Sequence, residues 1–110
     1  MTPIFEWDPD KAALNIKKHQ LSFEIAARVF SDRFALVVQH RIENGELRWQ
    51  TLGMVEGYVL LLVAHTVRSN EDGSETIRII SARRADKSER RMYEQNYSQI
   101  IGSGPAAFFD

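Results

Sequence analysis

The chain has 110 residues, a formal net charge of -1 and no cysteine. This length predicts one domain spanning residues 1–110, with a modest core, and the lack of thiols excludes disulfides, a thiolate zinc site and a cysteine nucleophile. The first eight residues lack the basic start and apolar run of a signal peptide, and the longest apolar run, Val59 to Ala64, is too short to span a bilayer. We therefore expect a cytoplasmic protein with no membrane partner.

The N-terminal third predicts a short strand and two helices. The strand covers Ile4 to Trp7, which favour β structure. Asp8 and Pro9 suit the N-cap and first position of a helix that ends near His19. Ser22 is a good N-cap for a second helix, which we expect to end near residue 32. Its apolar residues have the spacing of a buried helix face: Ile25, Ala26, Val29 and Phe30.

Four strands joined by short connections are predicted next, and an antiparallel meander is their simplest arrangement. They cover Phe34 to Gln39, Leu47 to Met54, Tyr58 to Thr66 and Glu75 to Ala82. Asn44-Gly45 is the strongest turn signal, because both residues tolerate positive φ. The nearly continuous apolar run of the third of these strands is typical of a central strand that is covered on both faces.

The last helix is predicted to begin near Asp86, since Asp86 and Glu89 have the spacing of a capping box. The segment 102–110 is expected to be a flexible or docking tail, with Phe108 and Phe109 near its end. The element order β-α-α-β-β-β-β-α indicates an α+β fold. We expect a small four-stranded antiparallel sheet with two N-terminal helices and one C-terminal helix covering one sheet face.

Basic residues are concentrated in one segment of this otherwise near-neutral chain. Residues 76–93 contain six basic and two acidic side chains. The basic ones are Arg78, Arg83, Arg84, Lys87, Arg90 and Arg91. Such a segment indicates a local anion site, although a solvated helix face has the same composition.

Several short stretches occur together in a specific order. They are Phe5 to Asp8, Lys18-His19, Ser22 to Glu24, Arg78 to Ala85, Glu89-Arg90 and Tyr93. In this order and spacing they resemble the BrnT toxin family over roughly residues 4–97. Two positions depart from the family pattern, since Gln20 stands where a glycine is common and Ile25 where a glutamate is common.

The resemblance to BrnT implies a RelE-like fold and an RNA-cleaving activity that halts translation, with no cofactor. It also implies a partner, a BrnA-like antitoxin with a ribbon-helix-helix domain that neutralises the toxin. The complex, which could be a heterotetramer, would contact operator DNA only through the antitoxin. A degenerate, non-catalytic toxin that acts as a co-repressor module is the alternative.

Metal-free RNA cleavage needs proton transfer at the 2′ and 5′ oxygens and cationic donors near the phosphorane. The candidate catalytic residues are His19, Arg68, Arg83, Glu89 and Tyr93, and the candidate phosphate-binding residues are Arg78, Arg84, Lys87 and Arg90. His19 has an ordinary pKa that suits proton transfer, and arginine matches phosphate oxygens with its planar fork. No ligand spacing typical of a metal site is present.

Strand alternation predicts that Arg83 and Arg84 point to opposite sheet faces and that Arg78 shares the face of Arg84. Arg68, after the preceding strand, is expected to reach the same sheet edge as Arg83.

Structural roles remain open for several of these candidates. His19 could cap the helix dipole, Glu89 could serve only the capping box and Tyr93 could begin a core stripe. The arginines could instead protect a strand end from edge pairing. His65, within an apolar strand, is expected to be a buried and hydrogen-bonded histidine.

Overall fold

The structure, a computed structural model, describes residues 2–102 and contains five strands, three α-helices and one 3-10 helix. The predicted tail lies outside the described residues after Gly102. In chain order the elements are β1 (Ile4–Glu6), α1 (Pro9–His19), α2 (Phe23–Ala26), the 3-10 helix (Ala27–Ser31), β2 (Leu36–Glu43), β3 (Glu46–Val55), β4 (Val59–Ser69), β5 (Glu75–Arg84) and α3 (Lys87–Gly102).

The predicted helix starts are confirmed by their capping hydrogen bonds. The Asp8 carboxylate accepts from the backbone N–H of Asp10, and the Ser22 hydroxyl accepts from that of Ile25 at 3.1 Å. Gln20 ends α1 in the left-handed region with φ of 56° although it is not glycine. The second helix is shorter than predicted, because only four residues are α-helical before the chain tightens into the 3-10 helix.

The sheet order is β1-β5-β4-β3-β2, which corrects the predicted four-stranded antiparallel sheet. Strands β2 to β5 form the expected meander, but β1 pairs parallel with β5 and makes the sheet five-stranded and mixed. Phe5 lies opposite Ile77 in this pair. A parallel partner requires a long crossover, and here the whole chain between β1 and β5 intervenes, so local pattern gives no indication of the pairing.

The helices lie on both faces of the sheet, which corrects the prediction that they cover one face. One buried cluster joins Phe23, Ala26 and Val29 to β4 and β5, and a second joins Tyr93 of α3 to Leu52, Leu60 and Leu62. The prediction that β4 is covered on both faces is therefore confirmed. The 3-10 helix packs so tightly on β3 that a Cβ added at Gly53 would lie 2.5 Å from the Val29 Cβ.

His65 is buried and hydrogen-bonded, as predicted, and lies against Phe30 beside the first of these clusters. Its side chain is 3% exposed, its Nε2 is hydrogen-bonded to the Thr51 hydroxyl at 2.8 Å and its ring meets Phe30 edge-on at 4.7 Å. Burial lowers the pKa of His65 to about 4, against a smaller opposing effect of the Thr66 carbonyl. The imidazole is therefore neutral at physiological pH.

The lowered pKa of His65 predicts a loss of stability in acid. The folded-state pKa of about 4 lies below the unfolded value of 6.5, so the unfolded chain binds the proton more tightly. The contribution of neutral His65 to the free energy of unfolding is fully present above pH 6.5 and is lost as the pH falls towards 4. We expect the free energy of unfolding to fall by about 2 kcal/mol more between roughly pH 7 and 4.5 in wild type than in His65→Gln.

Urea denaturation at several pH values measures this difference. His40→Gln is the matched control, because His40 lies on the exposed strand β2. Parallel pH profiles for wild type and His65→Gln would contradict the prediction.

Candidate active site

The end of β5 and the start of α3 form the β5–α3 corner, which we define as Arg83, Arg84, Asp86, Lys87, Glu89 and Arg90. The predicted capping box is present here: the Asp86 carboxylate accepts from the Glu89 N–H at 2.8 Å, and the Glu89 carboxylate accepts from the Asp86 N–H at 2.9 Å. This reciprocal cap starts α3 with only two residues between the end of the strand and the start of the helix. Four of the basic residues of the segment, Arg83, Arg84, Lys87 and Arg90, therefore lie at one corner of the sheet.

Arg83 and Glu89 form a bidentate ion pair at this corner. Arg83 Nη1 and Nη2 donate to the two Glu89 carboxylate oxygens at 2.8 Å each. These hydrogen bonds lower the pKa of Glu89 and raise that of Arg83. Because Glu89 stays ionised and paired, its geometry suits holding Arg83 in place more than accepting a proton.

Arg83 and Arg84 contact opposite sides of the sheet, as strand alternation predicts. Arg83 reaches α3, whereas Arg84 Nη1 donates to the carbonyl of His19 at the end of α1 at 3.3 Å. This contact places the backbone of His19 next to Arg84. The side chains of Lys87 and Arg90 make no hydrogen bond or ion pair within residues 2–102. The corner thus combines one fixed guanidinium with two cations that are free to meet an anion.

Arg68 does not join this group. It lies opposite Thr76 at the start of β5, and its guanidinium is 3.4 Å from the Glu6 carboxylate. Arg83 lies seven positions after Thr76 along the strand, a span of about 23 Å. The expectation of a shared edge is wrong because, in an antiparallel pair, the end of one strand lies beside the start of the next.

Arg78 also lies apart from the corner. Its Nη2 donates to the Glu46 carboxylate at 2.6 Å, and Arg78 lies opposite Thr66. A bulge in the β4–β5 pair between these positions and the corner interrupts the alternation, so that Ile79 and Ala82 face the same buried cluster. The expectation that Arg78 and Arg84 share a face is therefore wrong.

Tyr93 is 5% exposed and is hydrogen-bonded to Asp32. Asp32 was not among the residues predicted from the sequence for the site. The Tyr93 hydroxyl donates to Asp32 Oδ2 at 2.6 Å, and the backbone N–H of Met54 donates to the same oxygen at 2.8 Å. Asp32 Oδ1 accepts from the Phe34 N–H at 2.9 Å. Burial, followed by this hydrogen bond, raises the pKa of Tyr93 well above its ordinary value. Tyr93 therefore orders the structure beside the corner and is poorly suited to proton transfer.

An open cleft of about 890 Å³, which we name the α3 cleft, lies next to the Tyr93–Asp32 pair. Arg90 lines this cleft and belongs to the corner as well, and an ion pair between Arg28 and Glu56 lies at the wall formed by the 3-10 helix and the β3–β4 turn. Within residues 2–102, no three His, Asp or Glu side chains are grouped closely enough to hold a metal ion. In the same range, no helix is long and apolar enough to cross a membrane.

The structure is that of a small α+β protein with an exposed basic corner. Because Lys87 and Arg90 are unpaired there within residues 2–102 and Glu89 holds Arg83 in place, this corner suits an anionic ligand. Comparison with known families identifies the family within this class. A family model described as "Ribonuclease toxin, BrnT, of type II toxin-antitoxin system" matches residues 7–89. The chain therefore belongs to the BrnT family of ribonuclease toxins, as its sequence motifs indicated.

A solved structure supports this assignment. The chain is similar to the Brucella abortus ribonuclease toxin BrnT, with 27% identity and a TM-score of 0.57. The match covers 79% of this chain and 100% of that one. Among curated proteins, none matches significantly.

Proposed function

We propose that this protein is an endoribonuclease that needs no metal ion, and that its active site is the β5–α3 corner. The observation that carries the proposal is the Arg83–Glu89 pair, because it holds a guanidinium rigidly at a solvent-facing position. The Arg83 side chain remains 41% exposed and can meet a phosphate. Lys87 and Arg90 add further positive charge beside it.

In this proposal His19 and Arg83 act on the scissile phosphodiester. His19 accepts the proton of the 2′-hydroxyl, and the resulting oxygen attacks phosphorus. Arg83 stabilises the negative charge of the phosphorane, with Lys87 and Arg90 binding neighbouring phosphate oxygens. The bond to the 5′ oxygen breaks, water protonates that oxygen, and a 2′,3′-cyclic phosphate remains. Glu89 acts as a positioning residue for Arg83.

The proposal includes inhibition of translation in the cytoplasm and neutralisation by an antitoxin. Membership in a type II toxin–antitoxin family supports an antitoxin partner. We propose that this partner is a BrnA-like ribbon-helix-helix protein that covers the basic corner. Operator DNA would then be bound through the antitoxin alone, within an assembly such as a heterotetramer.

The test is cleavage of RNA by the purified protein in excess EDTA. We expect a 5′-hydroxyl product and a 2′,3′-cyclic phosphate product, with no loss of rate relative to buffer containing Mg²⁺. Activity that disappears with EDTA and returns with Mg²⁺ would contradict metal independence. Absence of cleavage under both conditions, with intact antitoxin binding, would favour the co-repressor module.

A further inference from the structure

The α3 cleft takes no part in the proposed chemistry, yet its dimensions and walls suit a ligand. Its volume of about 890 Å³ lies in the range of small-molecule sites, roughly 300–1,000 Å³. Met54 and Val55 contribute apolar surface, and Phe34 and Tyr97 contribute aromatic rings. A planar, partly polar ligand would fit such surroundings.

The aromatic wall of the cleft is fixed in position. The rings of Phe34 and Tyr97 lie 4.6 Å apart between centroids, with their planes inclined by 56°. The Phe34 N–H donates to Asp32, and the Phe34 carbonyl accepts from the Asn96 side chain at 3.2 Å. Because the backbone of Phe34 is held at both its polar groups, its ring keeps the contacting Tyr97 ring in place as a preorganised stacking surface.

Polar groups follow the same side of α3 away from the corner. Arg90, Glu94 and Ser98 line the cleft at intervals of one helical turn, which spaces their backbone positions by about 6 Å. Asp32 already accepts three hydrogen bonds and Arg28 is paired with Glu56, so Ser31, Glu94 and Ser98 are the groups that remain to bind a ligand edge. The cleft therefore places a cation at its corner end and hydrogen-bonding groups beyond it.

We propose that the α3 cleft binds one nucleobase of the substrate RNA while the adjacent phosphate lies on Arg90. The base stacks on Tyr97, whose ring is supported by Phe34, and Glu94 accepts hydrogen bonds from the amino or imino groups of the base. This inference rests on the proposed function for its substrate. A base fits better than a protein segment, since one cation connects the cleft to the phosphate-binding corner.

The test measures binding of a short single-stranded RNA in which every 2′-hydroxyl is methylated, so that no cleavage can occur. A set of such oligonucleotides carries one abasic residue at each position in turn. We expect one abasic position to weaken binding to wild type, and Tyr97→Leu to weaken binding of the intact oligonucleotide, each by about tenfold. Tyr58→Leu is the matched control, because Tyr58 is 73% exposed and does not line the cleft.

Three outcomes would distinguish a base-binding cleft from a protein-binding groove and from a failure of the proposed ribonuclease mechanism. Equal affinity of wild type and folded Tyr97→Leu, with no sensitive abasic position, overturns the inference. Loss of antitoxin binding in Tyr97→Leu with unchanged RNA affinity also overturns it and marks a protein-binding groove. Base-dependent binding without any cleavage of ordinary RNA supports the inference while contradicting the ribonuclease mechanism proposed above.

Discussion

Arg83→Ala is expected to lower the rate of RNA cleavage by about 100- to 1,000-fold. The guanidinium at this position is the one cation of the corner fixed by a bidentate pair, so its removal leaves the phosphorane without its preorganised donor. The measurement is the cleavage rate of a labelled RNA at equal concentrations of purified protein. In cells, growth after induction at matched soluble protein levels should recover in the same variant.

Two further variants separate this effect from folding and from general charge. Arg68→Ala removes the same charge about 23 Å away and should cut RNA at close to the wild-type rate. Arg83→Lys keeps the charge but loses the planar fork, so we expect intermediate activity. If Arg83→Ala, with an unchanged unfolding midpoint, cuts RNA as fast as wild type, the corner is not the active site.

Most local features of the fold could be predicted because nearby residues determine them. Asn44 and Gly45 adopt φ of 53° and 76°, as a two-residue hairpin turn requires. The Asp86–Glu89 capping box likewise depends on residues three apart. Caps and turns of this kind leave a signal within a few positions of sequence, which fixes the start of α3 and the β2–β3 hairpin.

The incorrect predictions concern contacts between distant segments. The pairing of β1 with β5 joins residues about 70 positions apart, and three residues carry too little pattern to indicate a partner. The bulge that separates the faces of Arg78 and Arg84 changes the alternation without a glycine or proline to mark it. The position of α3 on the second face depends on how Tyr93 packs against Leu60 and Leu62.

The candidate site was predictable where residues are neighbours in sequence. Arg83, Arg84 and Glu89 were identified because charge and spacing concentrate them at one strand–helix junction. Asp32 was missed because its hydroxyl partner is 61 positions away. The one available signal was local: an aspartate two residues before Phe34 can accept from that residue's N–H, as it does in the structure.

Asp32→Ala is expected to lower the free energy of unfolding by about 3 kcal/mol. Asp32 connects three elements, since the residue follows directly on the 3-10 helix and its carboxylate accepts hydrogen bonds from Met54 of β3 and Tyr93 of α3. Truncation leaves these half-buried donors without an acceptor, and each unsatisfied group carries a desolvation penalty. Urea denaturation monitored by tryptophan fluorescence measures the change.

Tyr93→Phe removes only one of these hydrogen bonds and keeps the buried ring, so we expect a smaller loss of about 1 kcal/mol. Ser31→Ala is the control, because Ser31 is exposed beside Asp32 and its side chain makes no hydrogen bond within residues 2–102. An Asp32→Ala variant as stable as Ser31→Ala would show that the three elements are held by apolar packing alone. The expected large loss in Asp32→Ala with a small one in Tyr93→Phe would identify the two backbone contacts, from Met54 and Phe34, as stronger together than the contact with the tyrosine hydroxyl.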